Sequence, residues 1–289
     1  MTKDERLTCT VCPHGCSLAP GAVGRCRARK HITEDGVGRI APINYGTVTS
    51  LALDPIEKKP LHSFHPGSLI LSVGSYGCNL KCPFCQNVEI SLADGREKPY
   101  AEYVSPEKLC DLAMKYRSRG NIGVAYTYNE PLVGYEYVRD CAKLVHEAGM
   151  KNVLVTNGSV TEPVLDEVLP YIDAMNIDLK CFNEEYYRNT LKGDLKTVKA
   201  FIRKAVTACH VELTTLIIPG ENDSDGEMRK LSAWVHELEL SADKNIPLHI
   251  TRFFPRSRYR DRMPTDVAGI YHLADIARSN LQYVYEGNV

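Results

Sequence analysis

The chain lacks a long apolar run. No stretch of its 289 residues is long and apolar enough to span a bilayer. Its N-terminus, MTKDERLTCT, is polar where a secretory leader would be apolar. A cytoplasmic protein with no membrane partner is therefore expected. A net charge of one sign is also missing. The 35 Lys and Arg nearly cancel the 36 Asp and Glu, leaving −1, so no global field favours nucleic acid. No internal repeat or low-complexity tract breaks the chain. Without an export signal, the 11 cysteines are a poor match to a disulfide framework. Seven of them fall into two tight clusters, which points to metal in a reducing compartment. Cys110, Cys141, Cys181 and Cys209 are scattered and read as ordinary buried small side chains.

The more informative cluster is Cys78, Cys82 and Cys85, spaced C-x3-C-x2-C after the apolar run Leu69–Val73. Gly74 and Gly77 loosen the backbone between the two. Three thiolates can hold three irons of a [4Fe–4S] cube, which normally takes four cysteines. The fourth iron then keeps an open position where an outside molecule can bind, as in other metal sites with a free coordination place. A zinc knuckle or three unrelated core thiols are the plainer alternatives. Zinc, however, prefers paired C-x2-C hooks. With Phe84 before the last cysteine, the spacing resembles the signature of radical SAM enzymes. That resemblance implies S-adenosylmethionine (SAM) on the open iron and its cleavage to a 5′-deoxyadenosyl radical.

The rest of the chain reads as strand and helix in alternation. Strand-like runs are Leu69–Val73, Ile122–Tyr126, Asn152–Val155, Ala174–Ile177, Glu212–Ile217 and Leu248–Thr251. Helical patterns lie at Pro106–Arg119, with Ser105 as N-cap, and at Leu132–Ala148, Glu162–Pro170, Asp194–Ala208 and Asp225–Leu240. Val267–Ser279 adds a helix, and Gln282–Tyr285 is a candidate edge strand. Such alternation implies a parallel sheet of right-handed βαβ units. The fold class expected is α/β, a partial (β/α)6 TIM-type barrel with a small N-terminal cysteine-rich metal-binding module. Residues 1–67 would form that module and a connector, with irregular short strands and loops over 38–68, and residues 68–289 the barrel.

Parallel α/β sheets place their chemistry at the carboxyl ends of strands, and several polar residues stand there. Glu130, in Tyr128-Asn129-Glu130-Pro131, can receive the SAM ammonium group; otherwise it starts a helix with Pro131 at its first position. Tyr128-Asn129-Glu130 occupies the place where radical SAM proteins usually carry a Gly-Gly-Glu-type stretch, with Glu130 retained. Asn157-Gly158 allows close backbone approach to the ribose or carboxylate, or is a plain turn. Asp178 and Lys180, two apart, suit one polar pocket, with Lys180 on the SAM carboxylate and Asp178 on the ribose or on Lys180. A structural salt bridge is the competing account. The turn 217–223 is a candidate floor for adenine, and His249 and Arg252 are candidates to face cofactor or substrate.

Together GCNLKCPFCQN, TYNEP, VTNG and IDLK resemble the pyruvate formate-lyase-activating-enzyme-like branch of the radical SAM superfamily. Within it the chain is most similar to the AmmeMemoRadiSam system radical SAM enzymes, over residue 9 to the C-terminus. The resemblance implies a ferredoxin- or flavodoxin-type electron donor and a hydrogen abstraction. The substrate would be a protein such as a glycyl radical enzyme, or a small molecule. Two departures stand out. Val155 sits where glycyl-radical activases often carry an aspartate that helps bind a cation, so that site is not carried over. Relatives also tend to continue past YVYEGNV with a C-x2-C tail where this sequence stops at Val289; either this homologue lacks the tail or the chain was shortened.

The second cysteine group, Cys9, Cys12, Cys16 and Cys26, is spaced C-x2-C-x3-C-x9-C. Four thiolates so placed can close a tetrahedral zinc site or hold a fully ligated second iron–sulfur cluster. Arg25, Arg27, Arg29 and Lys30 would stabilise an anionic centre of either kind, and His14 is a possible substitute ligand. The rival from another class is a non-catalytic electron-transfer protein or a zinc-stapled scaffold, which would not bind SAM.

Overall fold

The computed structural model describes residues 6–92 and 97–289. Its centre is an eight-stranded sheet. In chain order the strands are β1 (Ser50–Pro55), β2 (Leu69–Gly74), β3 (Asn121–Tyr126), β4 (Lys151–Thr156), β5 (Ala174–Asp178), β6 (His210–Ile217), β7 (Leu248–Arg252) and β8 (Val284–Gly287). Each strand pairs with the next in the chain, all in parallel except the antiparallel β1–β2 edge. The helices α1 (Pro106–Lys115), α2 (Tyr135–Glu147), α3 (Glu162–Val168), α4 (Leu195–Ala208), α5 (Asp225–Ala242) and α6 (Val267–Arg278) alternate with β3 to β8. This is the expected partial barrel. Strands covered on both faces read as nearly continuous apolar runs, as in the buried positions of β2 and β5.

Local chemistry sets the helix starts. Ser105, Asp194, Ser224 and Asp266 each accept a hydrogen bond from the backbone N–H three residues on, at the heads of α1, α4, α5 and α6. The helix expected over Leu132–Ala148 differs at its start. Pro131–Gly134 forms a 3-10 turn, and α2 begins only at Tyr135. Glu130 accepts from the Leu132 N–H and tightens that turn.

The connector departs most from expectation. Among the short strands expected there, β1 is part of the barrel sheet, because it runs antiparallel to β2. Beyond it, residues 60–63 are pinned to the amino ends of the strands by Glu212, which is fully buried in β6. Glu212 accepts from the backbone N–H groups of His62 (3.0 Å) and Ser63 (2.8 Å) and is bonded to the rings of His210 (2.9 Å) and His249 (2.6 Å). Asn176 adds a bond to the Pro60 carbonyl at 2.8 Å. The polar residues of this stretch thus close the floor of the barrel.

The N-terminal module is built from two short hairpins, Leu7–Thr8 with Ser17–Leu18 and Arg29–Glu34 with Val37–Pro42. It is tied to the barrel by the buried ion pair of Arg29 and Glu136, 2.6 Å apart.

Candidate active site

A cavity of about 300 Å³ opens at the carboxyl ends of the strands. Cys78, Cys82 and Cys85 line it together with Glu130, Asn157, Asp178 and Lys180. The structure therefore brings together the three cysteines read as cluster ligands and the four residues read as SAM contacts. Burial pushes the Cys78 thiol well above its ordinary value and the Cys82 thiol up to about 12, with Lys180 opposing the latter. Protons held this tightly leave when a metal takes the sulfur, so metal loading of such a site depends on pH.

Glu130 is 2 % exposed and accepts three hydrogen bonds. Thr156 Oγ1 donates to Oε1 at 2.7 Å, the Leu132 N–H to Oε1 at 3.1 Å, and the Asn157 N–H to Oε2 at 2.8 Å. Burial raises its carboxyl to about 7 even against those donors. A carboxylate desolvated in this way gains most from an arriving cation. Asn157 turns its amide between Cys78 Sγ (3.6 Å) and Asn79 Oδ1 (3.0 Å). Gly158 follows at φ +64, which completes the tight turn expected there.

Lys180 Nζ sits 3.0 Å from Asp178 Oδ2. Burial works to lower the ammonium's pKa, but Asp178 and Cys82 outweigh it and the net shift is upward, so the group stays charged. The salt bridge weighed from sequence is present, and both its members face the cavity.

Other residues stand elsewhere than expected. His249 is bound to Glu212 at the floor, and Arg252 donates from Nε to the Thr265 carbonyl at 2.7 Å; neither lines the cavity. The turn 217–223 acts from behind, through Asn222, whose amide donates to the Lys180 carbonyl at 2.8 Å. Sequence reasoning missed Pro60, Thr214 and Thr251, which also line the cavity, as does Tyr128 of the stretch compared with Gly-Gly-Glu. The usable signal was strand parity. Thr214 shares its face of β6 with Glu212 and Leu216, and Thr251 is the penultimate residue of β7.

Tyr128 has φ +72, a backbone conformation that suits the glycine expected there. Its hydroxyl donates to Asp54 at 2.7 Å, and Lys59 lies 4.7 Å from its ring centre. Those contacts hold a conformation that alone costs about 1 kcal/mol or more.

The sequence matches the Radical SAM superfamily over residues 72–231, more than half of the chain. The chain belongs to the radical SAM superfamily. This radical SAM enzyme is 36% identical to an uncharacterized protein of Methanocaldococcus jannaschii over 99% of the chain and 82% of that relative. It is 28% identical to the pyruvate formate-lyase 1-activating enzyme of Escherichia coli, over 60% of the chain and 71% of that enzyme. These likenesses place it in the pyruvate formate-lyase-activating-enzyme-like branch. A domain of a pyruvate-formate lyase-activating enzyme from Bacteroides vulgatus superposes with a TM-score of 0.50 at 16% identity, covering 57% of this chain and 99% of that one. SuiB of Streptococcus suis, solved with S-adenosylmethionine, superposes with a TM-score of 0.56 at 13% identity, covering 74% of this chain and 48% of that one. Both show the same fold. No helix among the described residues is long and apolar enough to cross a membrane.

Membership implies a [4Fe–4S] cluster and SAM, and the cavity of this radical SAM enzyme fits both. It offers three soft sulfur donors together with two carboxylates, an amide and an ammonium. In the N-terminal module, burial raises the Cys12 thiol to about 11, and the nearby Cys26, Cys9 and Cys16 add to the shift. The four cysteines therefore share one neighbourhood. Among the described residues, no three His, Cys, Asp or Glu side chains are gathered at the distances of a single bound ion. The module abuts the Cys78–Cys85 loop directly. The Cys78 N–H donates to the Cys26 carbonyl at 3.1 Å, and the His14 ring bonds the Asn79 carbonyl at 2.7 Å.

Proposed function

We propose that Cys78, Cys82 and Cys85 hold a [4Fe–4S] cluster and that Glu130, Asn157, Asp178 and Lys180 hold SAM beside it. One observation carries this reading: the three thiols and the four polar groups line a single cavity. With both groups bound, the chemistry supplied is one-electron reductive cleavage of SAM to methionine and a 5′-deoxyadenosyl radical, which takes a hydrogen atom from the substrate. Glu130 takes the α-ammonium of SAM, and Lys180, kept charged by Asp178, takes its carboxylate. The Asn157–Gly158 turn brings backbone close to the ligand.

The relation to an enzyme named for activating pyruvate formate-lyase supports a protein as substrate, with abstraction from a backbone glycine. A small-molecule substrate is the second reading, supported by the likeness to GTP 3',8-cyclase of Pseudomonas entomophila, 25% identical over 60% of the chain and 52% of that enzyme. Cys9, Cys12, Cys16 and Cys26 hold a second metal centre, zinc or iron–sulfur, in the module of residues 1–67, and residues 68–289 carry the chemistry. The rival is a non-catalytic protein that does not bind SAM. The test is anaerobic reconstitution, reduction with dithionite and chromatography for 5′-deoxyadenosine after SAM is added. Product that vanishes in Cys78→Ala supports the proposal; no product from wild type with a full iron complement favours the rival. Metal analysis of Cys9→Ser/Cys12→Ser against wild type identifies the second centre. Loss of zinc alone or of iron alone distinguishes the two alternatives.

A further inference from the structure

A short helical turn, Val88–Ser91, follows the last of the three loop cysteines. Ser91, at its end, is 3 % exposed and lines the cavity. Its hydroxyl lies 3.2 Å from Cys85 Sγ and 3.4 Å from the Val88 carbonyl. The longer contact is the back-bond that a helical serine ordinarily makes. The shorter one runs to sulfur, although sulfur is the larger atom. Chemistry decides which of the two groups donates. A thiolate that ligates a metal has given up its proton, so Ser91 is then the donor and Cys85 Sγ the acceptor. The turn that carries the hydroxyl is held from two sides. The Gly77 N–H donates to the Ile90 carbonyl at 2.9 Å, and Asn87 Nδ2 donates to the Tyr128 carbonyl at 2.8 Å. The contact of serine and sulfur is thus imposed by bonds to neighbouring loops.

Each loop sulfur has an electropositive neighbour. Cys78 Sγ accepts from the Leu80 N–H at 3.4 Å and from Asn157 Nδ2 at 3.6 Å, and Lys180 acts on Cys82 through its charge. Asn157 and Lys180 are assigned to SAM above; Ser91 has no such part. We propose that Ser91 is a positioning residue for reduction of the cluster, raising its potential by donating the hydroxyl hydrogen to Cys85 Sγ. The inference rests on the reading of Cys78, Cys82 and Cys85 as cluster ligands. Reduction moves one electron from the reductant to the irons and adds one negative charge to the cube. No bond breaks and no proton moves. A hydrogen bond to a ligand sulfur stabilises the more negative state more, and such bonds are among the factors that set iron–sulfur potentials.

The test uses the full chain, reconstituted anaerobically without SAM. It is titrated with dithionite through mediator dyes, and the reduced cluster is followed by electron paramagnetic resonance. In Ser91→Ala the ratio of reduced to oxidised cluster at a fixed potential is expected to fall about tenfold, a midpoint lower by about 59 mV for one electron. Ser91→Thr keeps the hydroxyl and should return that ratio to within about twofold of wild type. Alanine suits a helical turn, and the resonance reports only cluster that is present, so a partial loss of iron does not hide the midpoint. A Ser91→Ala midpoint equal to that of wild type would overturn the proposal while leaving the cluster in place. A fall that Ser91→Thr shares in full would also overturn it, because a purely structural role then accounts for both. Iron content indifferent to Cys78→Ala would instead sink the underlying reading.

Discussion

The backbone N–H of Asn157 donates to Glu130 Oε2 at 2.8 Å, joining the loops that follow β3 and β4. The same asparagine extends its amide toward Cys78 Sγ, 3.6 Å away. One residue thus links the proposed ammonium acceptor to the proposed cluster ligand, and several consequences can be measured.

SAM affinity should depend on pH through Glu130. Its carboxyl is raised to about 7 by burial, and a bound ammonium favours the ionised form. Affinity in the reconstituted protein should fall by up to about tenfold per pH unit below 7. A second, alkaline decline belongs to the ligand's own α-amino group, which titrates near pH 8. Glu130→Gln should weaken binding by about 10- to 100-fold and abolish the acid limb, with iron content unchanged. Calorimetric titration across the range checks this, and a wild-type profile without an acid limb would remove Glu130 from the ammonium.

Lys180→Met should do two separable things. It strips Asp178 of its ammonium partner, at a cost of about 1–3 kcal/mol given the partial exposure of that carboxylate. It also removes the cation proposed for the SAM carboxylate. Adding Asp178→Asn should recover much of the stability, read by thermal unfolding, and none of the SAM affinity. Affinity that recovers with stability would reduce the pair to a structural salt bridge.

Gly77→Ala should loosen the junction of module and barrel. Gly77 has φ +96, and a Cβ there would stand 2.6 Å from the Cys26 carbonyl oxygen and 2.9 Å from the Ala28 Cβ. A backbone atom cannot swing aside as a side-chain tip does. A loss of about 2–4 kcal/mol is expected, with faster proteolysis between the module and the barrel. An unchanged melting temperature would mean that this contact bears no load.

Glu212→Gln should release the connector from the barrel floor. Burial works to raise the Glu212 carboxyl, but the bonds from His210, His249, His62 and Ser63 outweigh it and hold it at about 2 against an ordinary 4.5. A depressed pKa stabilises the fold above the unfolded value, so this contribution is full above about pH 4.5 and is lost as pH falls toward 2. The variant should lose about 2–4 kcal/mol at neutral pH and show a shallower acid transition in that window. An unaltered acid unfolding curve would contradict the assignment.

The sequence by itself determined the alternation of β2 to β7 with their helices, because parallel strands buried on both faces leave apolar runs that local reading can find. It also determined the proposed ligands, since cysteine spacing and polar residues at strand ends are local patterns. Other features came only from tertiary structure. Ser50–Pro55 is a sheet edge because β2 lies beside it. Glu212, His210 and His249 form the floor because residues 60–63 fold back under them from about 150 positions earlier in the chain. Tyr128 holds a backbone shape suited to glycine because Asp54 and Lys59 grip its side chain. Each of these depends on contacts between residues remote in sequence, and the energy of such a contact is set by distance in space, which no local pattern encodes.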